Sequence, residues 1–148
     1  PERDERRELR KFGLGFAVWG AGTPRLIAGE AGDRAGTIAS AIRITDPVHR
    51  DYADEVIARS EGQVCTLTDD AILAAWRTLA AEEGVFCEPS SAASLAALIE
   101  SGAPAGSLAV CVITGHGLKD PRTVERSTLP PIQVDPDPDA ILAAAIDG

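Results

Sequence analysis

Leu108-Ala-Val-Cys-Val-Ile-Thr-Gly-His-Gly117 is the stretch that decides how this chain is read. The apolar run Leu108 to Ile113 is too short for a buried helix and is rich in β-branched side chains. An unbroken apolar run of this length predicts a central parallel strand buried on both faces. Thr114-Gly-His-Gly117 then predicts a loop at the carboxy-terminal end of that strand. A hydroxyl follows the strand directly, and the glycines beside it let backbone approach a ligand closely.

Working outward, apolar strands alternate with helices. Thr68 predicts an amino-terminal cap for a helix over 69–83, with Asp69 and Asp70 in the first turn, where the helix dipole favours negative charge. Ile72, Leu73, Trp76, Leu79 and Ala80 form its apolar stripe, and Gly84 stops it. Val85-Phe-Cys87 reads as a short strand, and Ser90 or Ser91 as the cap of an Ala/Leu-rich helix ending near Ser101-Gly102. Gln63 to Leu67 alternates like a strand. Asp46-Pro47 predicts the start of a helix over 48–59, with Val48, Tyr52 and Val56 on one face and Glu61-Gly62 as its end. Thr37 to Ile44 reads as a short helix running into a strand, Gly29 to Gly36 as a loop, and Leu26-Ile-Ala28 as a short apolar stretch. Gly13 to Trp19 is strand-like and is broken by Gly20 to Pro24. Residues 4–12 read as a helical turn or two, or as a tail. At the other end, Leu129 to Pro138 reads as an extended linker and Asp139 to Ile146 as a final helix. This alternation predicts an α/β fold with a mostly parallel sheet flanked by helices. The expected organisation is a charged amino-terminal segment over 1–12 and one α/β unit over 13–148.

Bulk properties narrow the function. The 148 residues can bury a real core. A net charge of −9 argues against nucleic acid, which needs a basic footprint, and 4% aromatic content leaves little to stack on bases. No apolar run approaches the ~18 residues of a membrane span, and the charged start Pro1-Glu-Arg-Asp-Glu-Arg-Arg is no signal sequence. The chain reads as cytoplasmic, and a first residue other than Met hints at processing or truncation. Cys65, Cys87 and Cys111 sit among apolar neighbours at no metal-ligand or redox spacing, which predicts reduced, non-catalytic thiols.

In open α/β sheets, ligands bind beyond the carboxy-terminal strand ends. Two segments are expected there: Glu88-Pro-Ser-Ser-Ala-Ala-Ser94 and Thr114-Gly-His-Gly-Leu-Lys-Asp120. Together with Thr37-Ile-Ala-Ser-Ala-Ile-Arg-Ile44 they resemble, in order and spacing, the threonine synthase family. The resemblance runs from about residue 24 to the end. In that family a helix ending in an acidic-Gly step leads into Glu-Pro-x-Ser-Ala-Ala-Ser, and a later run reads Thr-Gly-His-Gly-Leu-Lys-Asp-Pro.

The resemblance implies the fold type II architecture of pyridoxal 5'-phosphate (PLP) enzymes, and this chain as the later part of the large domain. It implies conversion of O-phosphohomoserine and water to L-threonine and phosphate. Thr114 would hydrogen-bond the pyridine nitrogen of PLP. Glu88 would line the cofactor face or brace the loop carrying Thr114. His116 would brace its loop, and Lys119 would neutralise nearby charge or pair with Asp120. No catalytic residue is expected in the chain itself. The family's Schiff-base lysine lies in a Ser-Phe-Lys-Asp type motif, and the lysines here, Lys11 and Lys119, lack that context. A Gly-Asn-x-Gly-Asn phosphate cup is also absent, and Thr45-Asp46 stands where Gly-Asn is usual. The expected partners are therefore an amino-terminal half bearing the lysine and, by the resemblance, a second copy in a homodimer. Alone, the chain is expected to be inactive. Another type II PLP enzyme, dehydratase or cysteate synthase-like, and a non-catalytic remnant remain the alternatives.

Overall fold

The computed structural model describes residues 16–19, 25–32, 36–44, 50–127, 130 and 132–147. Expectations for residues 1–12, for the break at 20–24 and for the Asp46-Pro47 helix start lie outside them. The elements are β1 (Phe16–Trp19), β2 (Arg25–Ala31), a 3-10 turn at Ser40–Ile42, α1 (Arg50–Arg59), β3 (Gln63–Leu67), α2 (Asp69–Glu82), α3 (Pro89–Ser101), β4 (Leu108–Cys111), a 3-10 turn at Gly117–Lys119, α4 (Pro121–Ser127) and α5 (Pro138–Asp147).

The strands form one sheet in the order β3-β2-β1-β4. β2 pairs parallel with β3, while β1 runs antiparallel to both β2 and β4. β2, β3 and β4 therefore share one direction, and β1 runs against them between β2 and β4. Helices α2 and α3 pack on each other, and α3 packs across the sheet. The core lies between them, built from Leu67, Ile72, Ala75, Trp76, Leu79, Ala92, Ala93, Ala96 and Ala97. Each large aliphatic side chain buried there contributes roughly 1.5–3 kcal/mol.

The decisive run is placed differently from its sequence reading. β4 ends at Cys111 and sits at one end of the described sheet, not at its centre. Ala109 and Cys111 pack against the core, while Leu108 and Val110 are 66% and 43% exposed. The strand is covered on one face only. An unbroken apolar run reports what each face tolerates and leaves open whether both are covered within the chain.

Gly29 explains a second difference. Read as the start of a loop, it lies inside β2, which continues to Ala31. A Cβ at Gly29 would stand 2.7 Å from the Ala93 carbonyl oxygen and 2.9 Å from Leu67 Cδ1. The glycine lets α3 press onto β2, a close approach rather than a turn. The alanine-rich face of α3 serves the same contact from the other side.

Helix α2 follows its expected form. Thr68 Oγ1 accepts from the Ala71 N–H at 3.1 Å, and the stripe Ile72, Ala75, Trp76 and Leu79 is buried. Leu73 is half-buried and Ala80 exposed, so the inward face is narrower than expected. Val85 to Cys87 forms no strand; a single antiparallel bridge joins Cys87 to His116. Residues 37–44 hold only the 3-10 turn, with no strand. In α1, Ala53 and Val56 are buried and Tyr52 is half-buried. Residues 132–137 form no regular element before α5. Among the described residues, no helix is long and apolar enough to cross a membrane.

Candidate functional site

The site grows from the start of α3. Pro89 takes the first helical position, where its missing N–H costs nothing, and Glu88 becomes the residue before the helix. The expected Ser90 or Ser91 cap is thereby displaced. No side-chain cap bond forms at this end, and both serines are buried inside the first turn. Their hydroxyls are free to hold other segments.

Ser91 holds the loop after β4. Its Oγ accepts from the Gly115 N–H at 2.8 Å and the Thr114 N–H at 3.1 Å. It also lies 2.9 Å from Thr114 Oγ1 and 3.5 Å from the Gly115 carbonyl oxygen. Ser90 holds a different segment, its Oγ accepting from the Ala41 N–H at 3.1 Å. Two successive serines thus tie the start of α3 to both of the other segments that carry the resemblance.

A short antiparallel pairing aligns residues 86–88 with 115–117. The Glu88 N–H donates to the Gly115 carbonyl at 3.0 Å, and the Gly117 N–H donates to the Phe86 carbonyl at 3.1 Å. Glu88 is 6% exposed, and its carboxylate lies so close over Gly115 that any Cβ there would collide with it. Gly117 is covered in the same way by the Phe86 ring. Trp76 anchors the lower strand of this pairing by donating from Nε1 to the Cys87 carbonyl at 2.6 Å.

The loop over residues 36–44 is stapled at several points. Thr37 Oγ1 donates to Asp69 Oδ1 at 2.5 Å, and the Ile38 N–H donates to Asp69 Oδ2 at 3.0 Å. Arg43 Nε donates to the Thr37 carbonyl at 3.1 Å. Ser40 Oγ donates to Asp120 Oδ2 at 3.2 Å, while Asp120 Oδ1 accepts from the Thr123 N–H at 3.3 Å. Asp120 therefore caps α4 and joins two loops.

Of the sequence-derived candidates, the structure brings Thr114 and Glu88 to one loop. Thr114 is exposed in the loop beyond β4 and Glu88 is buried beneath its neighbour. His116 is exposed and braces its own loop: Nδ1 accepts from the Leu118 N–H at 3.2 Å, and the ring meets Phe86 edge-on at 5.4 Å. Lys119 is exposed in the 3-10 turn. Burial raises the thiol pKa of both Cys87 and Cys111, which keeps them protonated and unreactive. The sequence reading missed Ser91 as the hub, Asp69 as the staple and Asp120 as the joint. The first two looked complete as helix-terminal residues, and nothing local marks a partner 23 or 32 positions away.

The site exposes one residue with a neutral side-chain hydroxyl, Thr114, on a closely packed loop. That hydroxyl is fixed by Ser91 in the loop beyond β4, beside a backbone that only glycine allows so near Glu88. A hydroxyl there can donate to an acceptor atom of a ligand, a ring nitrogen among them.

Comparison with known proteins gives the same direction. Residues 16–115 match the family model described as "Pyridoxal-phosphate dependent enzyme". The chain is similar to the threonine synthase of Synechocystis sp., 48% identical over 110 residues, covering 73% of this chain and 28% of that protein. It is 47% identical over 113 residues to that of Halalkalibacterium halodurans, covering 74% and 31%. It is 46% identical over 121 residues to that of Mycobacterium leprae, covering 78% and 34%. The chain thus spans about a third of the length of these relatives.

Proposed function

Because this chain belongs to the pyridoxal-phosphate dependent enzyme family, we propose that it forms the ring-nitrogen side of the PLP site of a threonine synthase. Such an enzyme converts O-phosphohomoserine and water to L-threonine and phosphate. One observation supports the reading: Thr114 is exposed in the loop beyond β4, with its hydroxyl 2.9 Å from Ser91 Oγ. When bound, PLP supplies an electron sink for proton removal, loss of phosphate and readdition of water. Thr114 donates to the ring nitrogen and keeps it neutral. Glu88 fills the space over Gly115, bracing the loop that carries Thr114 and closing that side of the cofactor face. His116 and Lys119 shape the loop without handling protons.

The remaining parts come from outside this chain. Neither Lys11 nor Lys119 sits in the Ser-Phe-Lys-Asp context of the lysine that carries the cofactor. A lysine-bearing segment with the phosphate cup completes the site, and the completed protein assembles as a homodimer. That segment covers the exposed face of β4, where Leu108 and Val110 present apolar surface.

A chimera tests this. The chain replaces the matching segment of the Synechocystis threonine synthase. A folded chimera that binds PLP and releases phosphate from O-phosphohomoserine supports the reading. A chimera that folds, by circular dichroism, yet takes up no PLP contradicts it.

A further inference from the structure

We propose that Ser91 is a positioning residue that sets the direction of the Thr114 hydroxyl, making Thr114 a hydrogen-bond donor toward whatever it faces. A serine hydroxyl offers one proton and two lone pairs. Both lone pairs of Ser91 Oγ are occupied, by the Gly115 N–H at 2.8 Å and the Thr114 N–H at 3.1 Å. The proton must go elsewhere. Two acceptors lie in range: Thr114 Oγ1 at 2.9 Å and the Gly115 carbonyl at 3.5 Å. Hydroxyl-to-oxygen bonds are strongest near 2.7–2.8 Å and weak at the longer distance. The Ser91 proton is therefore committed to Thr114 Oγ1.

Thr114 Oγ1 then accepts from Ser91, and its own proton points away. Among the described residues, Thr114 Oγ1 has no other hydrogen-bond partner, and the residue is exposed. The hydroxyl presents a hydrogen outward. The group it meets has to be an acceptor, such as a neutral ring nitrogen or a carboxylate. Ser91 is 2% exposed, so water does not compete for its lone pairs. That the facing group is PLP rests on the function proposed above; the direction of the hydroxyl does not.

Nuclear magnetic resonance on the 148-residue chain tests the assignment without cofactor. The buried Ser91 hydroxyl proton should be visible and close to the Thr114 side chain. Thr114→Val removes its acceptor while preserving shape, and should shift that proton strongly while leaving the Gly115 amide protected from exchange. Ser91→Ala should speed exchange of the Thr114 and Gly115 amides about tenfold, the equilibrium equivalent of one ordinary hydrogen bond. The Trp76 indole N–H, bonded to Cys87, reports whether the fold survives. A Ser91 hydroxyl proton unmoved by Thr114→Val overturns the proposal, because a serine that merely braces the loop gives that result. Should Ser91→Ala fail to fold, Thr114→Val at its exposed position still decides. PLP uptake by the chimera is read separately, so the cofactor reading can fail while the Ser91 assignment stands.

Discussion

Ser91 and Thr114 are 23 positions apart in the chain, and their hydroxyl oxygens lie 2.9 Å apart. Ser91 lies in the first turn of α3 and Thr114 in the loop beyond β4, so their meeting ties that loop to the helix. Removing the Thr114 hydroxyl should therefore affect both binding and folding. In the chimera, Thr114→Val is expected to weaken PLP binding by about tenfold, near 1.4 kcal/mol, and to lower the urea midpoint by about 1–3 kcal/mol of stability, because the buried Ser91 hydroxyl loses its acceptor. Absorbance titration with PLP measures the first and circular dichroism the second.

Gly115 and Glu88 are locked by space. Gly115→Ala places a methyl group against the Glu88 carboxylate and should destabilise the chain by about 1–3 kcal/mol. Glu88→Ala in the same chain should relieve most of that cost. A double-mutant cycle by urea unfolding reads the coupling, and additive effects would show that the two residues do not meet.

Asp69 holds the loop over residues 36–44 through Thr37 and Ile38. Asp69→Ala should cost about 2 kcal/mol, since two bonds to a partly buried carboxylate are lost at once. Limited proteolysis should then cut within residues 37–44 first. Unchanged cleavage would show that Ser90 and Asp120 suffice to hold the loop.

Much of this was legible in the sequence, and what was not has a physical cause. The Thr68 cap and the Ile72-Trp76-Leu79 stripe of α2 are local, so periodicity and capping chemistry identify them. The α/β class follows from the alternation of elements. Gly29 misled because a glycine serving close helix-strand approach looks the same as one serving a turn. Leu108 to Ile113 misled because apolar sequence records tolerance of burial, while coverage depends on what packs there. Ser91 reads as a cap from its local sequence, but Pro89 moves the helix start forward and the freed hydroxyl finds its partners across the fold. The motifs identify Thr114 and Glu88 as a pair of interest, but only the fold shows that Ser91 and Gly115 link them.

Cys87 and Cys111 give the structure a pH dependence. Burial raises both thiols above their ordinary range, for Cys87 against a lowering backbone hydrogen bond and with a further rise from Glu88. For Cys111, a hydrogen bond with Ser94 partly offsets the effect of burial. The folded chain then holds these protons more tightly than the unfolded chain. Stability is fully present below the ordinary thiol pKa and falls as pH rises through the shifted values. Urea midpoints measured across the alkaline range should decline, and Cys87→Ser with Cys111→Ser should flatten that decline.

The role of Thr114 is tested most directly by the nitrogen-15 resonance of ring-labelled PLP bound to the chimera. A donor at Thr114 predicts a neutral, hydrogen-bonded ring nitrogen whose resonance moves toward that of the free neutral ring in Thr114→Val. A resonance at the pyridinium position, or one unmoved by the substitution, would contradict it.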